Sequence, residues 1–571
     1  DEEHPAVRGT LARSLGRLAV DTATRRHIAD VLVEISRTAD GDAPQATLLG
    51  VAQGLESLIR RHSTDGVSSR VAARLHELAL YPTRRIGDPD PARIRGLALA
   101  ALGISRRITV PRMLTALNDP EPQPGATVAR FIDAAPPGQR AEILRRVVGR
   151  PSLHTVIEGF LRLQRDPPTF LNCRYLEAGT RSVITEGPRA PVPVGVLATA
   201  AYDRPSPDLE TQRALLDAVA GALDSDVTPW QAASRGLVSL AAIDPDGARR
   251  RLPRHAGHEN AFVRAYAAEA ATLVRDSETL RRLADDPHPN VRTVALPGLF
   301  SLEGHGIDPL LVEALDSDDP QLLLTVASLL EGTPDPDGVA EAALAAFIRI
   351  SSAGRQTWRD PRRALLRLLA TEGRADQADA LEPYLQDYDP VVAEDVAALL
   401  TAWGAPGEAD PRPLPRAELP TASELRAMDG AIVRLHMEGG GRVDIELDPY
   451  LATTNAYRFF RLVSEGYFDG LTFHRWAPNF VLQGGSPGAN EYQGAGAFSR
   501  DEVGLRGHWR GTVGISTRGH DTGDAQIFIN LLDNVRLDHT YTIIGSVVDG
   551  MDTVDHAMDG SVIERAEGVH P

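Results

Sequence analysis

Lysine is absent from the 571 residues, so all 60 basic side chains other than histidine are arginines. A chain without lysine cannot form a lysine Schiff base and cannot supply the lysine of a phosphate-binding loop. The absence therefore excludes both kinds of chemistry. We attribute it to GC-rich coding rather than to a functional constraint.

Cysteine and long apolar runs are also scarce. The single cysteine, Cys173, excludes an internal disulfide and any metal site built from several cysteines, but it does not fix the compartment. The longest largely apolar run, from Val192 to Tyr202, contains Pro193 and is too short to span a bilayer. We therefore expect no transmembrane segment.

Positive charge is in deficit, with 60 Lys and Arg against 78 Asp and Glu and a formal net charge of −18. A protein that binds nucleic acid is normally basic, so we expect no nucleic-acid partner. The chain also exceeds the roughly 250–300 residues at which single cores stop growing. Two or more domains, or a repeat array, should share the 42% of hydrophobic residues.

Short motifs recur through the first four hundred residues, and each is followed by an Ala- and Leu-rich helical pattern. Most contain a proline or a Val-Arg pair just after a polar residue, and Asp before Pro is a good start for a helix. The motifs begin at His4, Asp88, Asn260, Asp286, Asp319 and Asp389. A step of about thirty residues fits one helix pair per unit.

One helix pair cannot bury its apolar face, so neighbouring pairs must stack. The pattern resembles HEAT repeats, most clearly from Asn260 to Trp403, whereas the segment from Arg165 to Pro193 matches poorly and is interpreted as an insertion. The resemblance implies an all-α solenoid over residues 1–404 that offers a surface to a protein partner. The arginine after each valine is expected to form a ladder between repeats, with ligand contact as the alternative.

A proline-rich segment follows this helical part. Gly404 is interpreted as the C-terminal cap of the last helix, and five prolines between Ala405 and Pro420 predict a semi-extended linker over residues 405–429. Both flanking parts carry net negative charge. We expect them to stay apart unless specific contacts hold them together.

After Gly430 the period of the apolar residues changes from that of a helix to that of a strand. Residues 431–436 and 442–447 alternate apolar and polar side chains around three glycines, which predicts a β-hairpin. Residues 452–464 follow as a helix, and further short strands are separated by glycine-rich turns. The pattern predicts a mainly antiparallel β-barrel with capping helices over residues 430–571.

One stretch of this barrel is specific. Residues 473–485 read FHRWAPNFVLQGG, and further motifs follow at residues 514–516, 521–529, 537–540 and 545–552. Together they resemble the cyclophilins, peptidyl-prolyl cis–trans isomerases, over essentially all of residues 430–571, and the fusion resembles a bacterial type. The resemblance implies a substrate that contains an Xaa-Pro bond.

The chemistry of such an isomerase needs no metal, no cofactor and no covalent intermediate. The Xaa-Pro bond rotates over a barrier of about 20 kcal/mol that arises from amide resonance. A dry pocket for the proline ring, a hold on the flanking carbonyls and a donor to the twisted amide lower that barrier. We expect no cofactor and no metal site.

The resemblance also implies roles for single residues. Arg475 would be the donor, and Phe480 and Gln483 would complete the catalytic set. The remaining substrate-binding residues would be Val481, Ser516, Thr517, Phe528, Leu537 and His539. Four of the residues, Phe480, Val481, Phe528 and Leu537, would form the proline pocket, Gln483 would hold the substrate backbone, and His539 would close the rim.

Simpler interpretations of these residues remain open. Phe480 and Phe528 could be plain barrel core, Arg475 could form a surface ion pair, and His474 is expected to be structural rather than catalytic. The function expected is an isomerase that assists protein folding or assembly on a HEAT-repeat scaffold. The alternative is an adaptor in which both parts bind and catalysis is weak. Because the sequence starts at Asp1, export to the cell envelope or beyond is slightly favoured over the cytoplasm.

Weak cyclosporin binding is the testable consequence of the departures from the common cyclophilin pattern. Val481 replaces a common Met, Ser486 stands where Asp is frequent, and Arg536 stands where a Trp often contributes to binding the drug. We expect cyclosporin to inhibit the isomerase activity only weakly. Inhibition at sub-micromolar drug would contradict the prediction.

Overall fold

The structure is a computed structural model that describes residues 4–129, 230–477 and 480–569 with short gaps at 39–40, 63–66, 84, 86 and 415–418. It also describes residues 131, 217 and 220–224. The expected insertion from Arg165 to Pro193, the apolar run that begins at Val192, and Cys173 lie outside the described residues.

Helices dominate the described residues up to 129, where a two-stranded ribbon, β1 (Arg37–Thr38) with β2 (Gly41–Asp42), is also present. The helices are α1 (Pro5–Leu15), α2 (Thr22–Ile35), α3 (Gln45–His62), α4 (Ser69–Leu78), α5 (Asp90–Ile104), α6 (Val110–Leu117) and α7 (Pro122–Ala129).

A second set of helices runs from residue 230 to residue 402, joined in part by 3₁₀ turns. They are α8 (Trp230–Ile243), α9 (Pro245–Ala256), α10 (Ala261–Val274), α11 (Ser277–Ala284), α12 (Pro289–Glu303), α13 (Asp308–Ala314), α14 (Pro320–Leu329), α15 (Pro336–Ser352), α16 (Arg359–Glu372), α17 (Ala378–Leu381) and α18 (Pro390–Ala402). The described residues before the barrel are therefore mainly helical, as predicted.

The Asp-Pro motifs begin helices, as the sequence predicts. The carboxylate of Asp319 accepts from the backbone N–H of Leu322 at 2.9 Å, and Asp389 accepts from that of Val391 at 3.0 Å. Each aspartate satisfies an N–H group of the first turn that no helical carbonyl can reach. The proline that follows occupies the first turn, where its missing N–H costs nothing.

The start of the predicted linker lies along the helical region. Gly404 ends the last helix in a left-handed conformation with φ of +80°, as expected of a C-terminal cap. Residues 405–414 have no regular secondary structure. The backbone N–H groups of Asp410 and Arg412 donate to the carbonyls of Leu385 and Asp387 at 2.8 and 3.0 Å. Before the barrel the chain forms α19 (Ala422–Ala427).

The barrel is a single antiparallel sheet of nine described strands with two helices. The strands are β3 (Ile432–Met437), β4 (Arg442–Leu447), β5 (Thr472–Phe473), β6 (Arg475–Ala477), β7 (Val481–Gly484), β8 (Thr512–Ile515), β9 (Ile527–Asn530), β10 (Ile543–Asp549) and β11 (Ser561–Val569). The helices are α20 (Thr453–Ser464) and α21 (Met551–His556). The hairpin predicted around the three glycines is confirmed as β3 and β4.

The sheet comes close to closing on itself. Its strand order is β5-β11-β3-β4-β10-β8-β9-β7-β6, so the consecutive strands β5 and β6 lie at opposite edges. His474 alone separates them, and Thr472 forms a bridge with Ser486 just after β7. This near-closure confirms the predicted barrel and brings the segment from His474 to Ala477 back beside β7.

Specific contacts hold the helical region against the barrel. The carboxylate of Asp559, just before β11, accepts from Arg235 of α8 at 3.0 Å and from the Tyr266 hydroxyl of α10 at 2.8 Å. On another side of the barrel, the Arg93 guanidinium of α5 lies 4.5 Å from the ring centroid of Trp509. These contacts offset the repulsion expected between two negatively charged parts.

The described part of the chain contains neither a membrane-spanning helix nor a metal-binding cluster. None of its helices has both the length and the apolar character needed to cross a membrane. Within the same residues, no group of three His, Cys, Asp or Glu side chains is arranged to hold a metal ion.

Asp559→Ala tests the contact between α8, α10 and the barrel. Arg235 and Asp559 are both largely buried, with side chains 17% and 10% exposed. Removing one partner of a buried pair typically costs about 3–5 kcal/mol, so we expect the thermal midpoint to fall by several degrees. Calorimetry measures the shift, and Asp552→Ala, an exposed change on α21, is the control. Equal midpoints for the two variants would contradict the prediction.

Candidate active site

Strand register places the predicted site residues in one row across the sheet. Arg475 of β6 pairs with Gln483 of β7, Gln483 pairs with Phe528 of β9, and Phe528 pairs with Gly514 of β8. Paired residues of neighbouring strands share a face, and the next residues along each strand face the other way. Leu482, which precedes Gln483 on β7, accordingly lies in the barrel core. The residues of the row lie on the opposite face of the sheet.

An apolar cluster lies beside this row and is separate from the barrel core. Val481, Phe528 and Leu537 are its buried members, and Ala477, Phe480 and Tyr541 pack against them. Four residues predicted from the sequence to line a proline pocket, Phe480, Val481, Phe528 and Leu537, therefore come together. Their separation from the main core argues against the simpler interpretation of these residues as plain barrel interior.

Phe528 is held from three sides. Gly514 leaves room for its ring, because a Cβ there would lie 2.5 Å from the ring's Cζ. The His508 ring stacks on Phe528 with a centroid distance of 6.1 Å, and Tyr541 meets it edge-on at 5.8 Å. His508 is itself buried and contacts the carboxylate of Asp538. The aromatic wall of the cluster is thus rigidly placed.

Phe480 is fixed through its backbone. Its carbonyl accepts from the side-chain amide of Asn534 at 2.8 Å and from the N–H of Leu531 at 3.0 Å. The amide of Asn534 also donates to the buried side chain of Asn530 at 2.7 Å. The guanidinium of Arg536 lies 3.9 Å from the centroid of the Phe480 ring and covers its outer side.

The guanidinium of Arg475 lies at the mouth of the cluster. Its Nη1 donates to Oε1 of Gln483 at 3.1 Å, and its carbon lies 6.0 Å from the centroid of the Phe480 ring. Its Nε pairs with the Glu491 carboxylate at 3.0 Å, and the two side chains are 40% and 47% exposed. An ion pair so exposed contributes little to stability. The planar guanidinium nevertheless places its five N–H donors next to the apolar cluster.

Gln526 connects the predicted substrate-binding backbone to Gln483. The N–H of Ser516, just beyond β8, donates to the carbonyl of Gln526 at 2.9 Å, and Thr517 follows it. The side-chain amide of Gln483 donates to Oε1 of Gln526 at 3.0 Å, and both side chains are buried. Sequence reasoning missed Gln526, although it lies within the motif at residues 521–529.

The neighbours recorded for His539 are polar or charged. Its backbone is left-handed, with φ of +59°, and its neighbours are the backbone of Gly504 and the charges of Arg13 and Arg17 on and after α1. Burial, followed by these two arginines, lowers the pKa of its imidazole. Its place at the pocket rim stays a prediction. Tyr541, two residues later, packs against the apolar cluster.

His474 fits the structural role expected for it. It links the two edge strands of the sheet, and burial, followed by the charge of Arg475, lowers the pKa of its ring to about 4. The imidazole is therefore neutral at physiological pH. Because the imidazole is uncharged, the positive charge in this row of residues is that of the Arg475 guanidinium.

Known proteins resemble the barrel over its whole length. Residues 432–569 match the sequence profile of the family described as cyclophilin type peptidyl-prolyl cis-trans isomerase/CLD. Peptidyl-prolyl cis-trans isomerase B of Bacillus subtilis is 34% identical over 136 residues, which are 23% of this chain and 95% of the relative. A peptidyl-prolyl cis-trans isomerase of Helicobacter pylori is 33% identical over 128 residues, 22% of this chain and 78% of the relative.

A solved cyclophilin type isomerase of Cryptosporidium parvum aligns over 24% of this chain and 98% of its own, with 23% identity and a TM-score of 0.23. The two curated relatives are the more similar in sequence, and each is covered over more than two thirds of its length. Through its C-terminal domain, the chain belongs to the cyclophilin-type peptidyl-prolyl cis–trans isomerases.

Proposed function

We propose that the chain isomerises Xaa-Pro bonds of polypeptides at the apolar cluster, with Arg475 as the donor to the twisted amide, and thereby assists protein folding or assembly. The observation that carries the proposal is the Arg475 guanidinium, held by Gln483 at the mouth of an apolar cluster that the barrel core does not use. A dry pocket and a fixed donor are what this reaction needs.

In the proposed mechanism no covalent bond forms or breaks. The proline ring enters between Phe480, Val481, Phe528 and Leu537, while Gln483 and the backbone near Ser516 and Thr517 hold the flanking peptide. As the amide twists, its nitrogen loses conjugation and its lone pair becomes an acceptor for the guanidinium of Arg475. The donor is strongest in this state, so it stabilises the transition state more than either isomer.

We further propose that residues 1–404 form a HEAT-like solenoid, residues 405–429 a linker, and residues 430–571 the isomerase domain. Two bidentate ion pairs support the repeat. Arg95 donates to both carboxylate oxygens of Asp119, at 2.6 and 2.8 Å, and Arg264 donates to both of those of Asp286, at 2.6 and 2.9 Å. Arg264 lies in the motif that begins at Asn260 and Asp286 begins the next one, as a ladder between repeats requires. Arg95 of the motif at Asp88 likewise pairs with an aspartate 24 residues further on.

The scaffold would hold a client protein on its surface and raise the local concentration of Xaa-Pro bonds at the barrel. The similarity to isomerases of Bacillus subtilis and Helicobacter pylori supports a bacterial type of cyclophilin domain. The client would be recognised by the helical surface, and the barrel would accept any of its accessible prolines.

A second candidate is an adaptor that binds proline-containing segments and catalyses weakly. Arg536 stacked on Phe480 and Glu491 paired with Arg475 favour it, because both interactions compete with a substrate. Activity measurements separate the two candidates.

Arg475→Ala tests the proposed isomerase directly. We expect kcat/KM in a protease-coupled proline-peptide assay to fall by about a hundredfold to a thousandfold, because the donor to the twisted amide is lost. Arg461→Ala, an exposed arginine on α20 that pairs with Glu465, is the matched control and should keep the full rate. Background rates in both the wild type and Arg475→Ala would favour the adaptor.

Tyr541→Ala and His539→Ala together test the pocket rim. We expect the tyrosine change to raise KM by about tenfold, since an aromatic pair contributes roughly 0.5–1.5 kcal/mol beyond its buried area. His539→Ala should change KM by less than about twofold, because its imidazole has the backbone of Gly504 and the charges of Arg13 and Arg17 as neighbours. Steady-state kinetics of both variants check the prediction, which the reverse order of effects would contradict.

A further inference from the structure

One loop of the barrel lies between the active site and the helical region. This docking loop, residues 485–499, follows β7. It starts at Gly485, whose φ of +91° and close neighbours, the ring of Phe468 and the carbonyl of Ala525, leave no room for a side chain. Its residues contact α12 and the N-terminal end of α14 at one place, and the backbone N–H of Gln356 donates to the carbonyl of Gly496 at another.

Asp319 is the centre of the first contact. Its Oδ1 caps α14 by accepting from the N–H of Leu322, and its Oδ2 accepts from the side-chain amides of Asn490 at 2.9 Å and Gln493 at 2.7 Å. Asp319 and Asn490 are each only 4% exposed. Each carboxylate oxygen therefore serves a different part of the protein.

Asn490 cannot turn its amide around to suit a different partner. Its own Oδ1 accepts from the backbone N–H groups of Tyr492 at 3.0 Å and Gln493 at 3.1 Å. Its amide nitrogen must therefore face Asp319, and it also reaches Oδ1 of Asn290 on α12 at 3.2 Å. The helical region thus fixes the backbone of the docking loop.

From the loop, a directed series of buried and partly buried hydrogen bonds reaches Arg475. The amide nitrogen of Gln526 donates to the carbonyls of Asn490 at 3.1 Å and Gln493 at 2.7 Å. This turns Oε1 of Gln526 towards the amide nitrogen of Gln483, and in consequence Oε1 of Gln483 towards Nη1 of Arg475. An amide has donors at one end and acceptors at the other, so each bond sets the orientation of the next.

The loop reaches Arg475 by a second route as well. The Glu491 carboxylate pairs with Nε of Arg475 at 3.0 Å. The carbonyl of Glu491 accepts from Arg518 at 2.7 Å, and Arg518 pairs with Asp360 of α16 at 2.7 Å. Both edges of the guanidinium are therefore held by groups whose position depends on the helical region.

Asp319 differs from the aspartates at comparable positions of the chain. Asp119 and Asp286, which each precede a proline as Asp319 does, accept bidentate ion pairs from Arg95 and Arg264 within the helical region. Oδ2 of Asp319 instead accepts from two side-chain amides of the docking loop. A position that elsewhere joins repeats here joins the helical region to the active site.

We propose that Asp319 is a positioning residue for isomerisation, which acts through the docking loop, Gln526 and Gln483 on the guanidinium of Arg475. The inference rests on the proposed function. It makes the helical region part of the catalytic unit, in addition to any binding of clients. Substrate does not touch Asp319, so its effect should appear in kcat more than in KM.

Asp319→Asn in the full chain is the test. Asparagine caps a helix as well as aspartate does, so Oδ1 can still accept from Leu322 and α14 is preserved. Its amide nitrogen would face the amide of Asn490, donor against donor, and the contact with the loop is lost. We expect kcat for a proline tetrapeptide to fall between about twofold and thirtyfold, with KM nearly unchanged.

Asp276→Asn is the matched control, because Asp276 caps α11 through the N–H of Thr279 at 3.0 Å and touches its own helix there. It should keep the wild-type kcat. Gln483→Ala provides the second control, since it interrupts the route from Gln526 to Arg475. In that background Asp319→Asn should cost clearly less than it does in the wild type.

Each outcome of these measurements either supports or overturns the positioning role of Asp319. A fall in kcat that shrinks in the Gln483→Ala background supports the positioning role. A wild-type kcat for Asp319→Asn, or an equal loss in both backgrounds, overturns it while leaving the proposed function intact. A wild type no faster than Arg475→Ala removes the proposed function, and the positioning role with it.

Discussion

The proposed chemistry of this site depends on one interaction, the hydrogen bond that Arg475 donates to Gln483. It holds a permanent cation beside an apolar cluster, where an unrestrained arginine would turn towards water. The reaction itself asks for little else, because rotation about an Xaa-Pro bond breaks no covalent bond and needs no cofactor. In the proposed mechanism, the surrounding structure keeps this donor and the cluster in a fixed relation.

Two levels of structure achieve that. Within the barrel, strand pairing aligns Arg475, Gln483 and Phe528 on the face opposite the core, and near-closure of the sheet brings β6 beside β7. Outside the barrel, Asp319 fixes the docking loop, and the loop orients the amides that end at Arg475. Hydrogen bonds through the docking loop thus join the isomerase domain to a helical region that is more than twice its length.

The sequence predicted the parts of the fold that depend on local physics. Helix starts at Asp-Pro pairs follow from capping, and the hairpin of β3 and β4 follows from alternation around glycines. The members of the apolar cluster could be chosen from the sequence because they lie within contiguous motifs, and their role as a proline pocket stays a prediction. The left-handed backbone of His539 cannot be read from a pattern, and no motif marked Tyr541, which packs against the cluster. Contacts such as Asp319 with Asn490 join residues far apart in sequence, and no periodicity indicates them.

The most direct test of the account is Arg475→Lys in the full chain, with the cis–trans exchange rate of a proline peptide measured at equilibrium by NMR. Lysine keeps the positive charge but lacks the planar fork that binds Gln483 and Glu491 while facing the amide. The catalysed exchange rate should fall by at least about tenfold, a loss of roughly 1.4 kcal/mol of transition-state stabilisation. An exchange rate equal to that of the wild type would show that charge alone suffices, and would contradict the central role given to the held guanidinium.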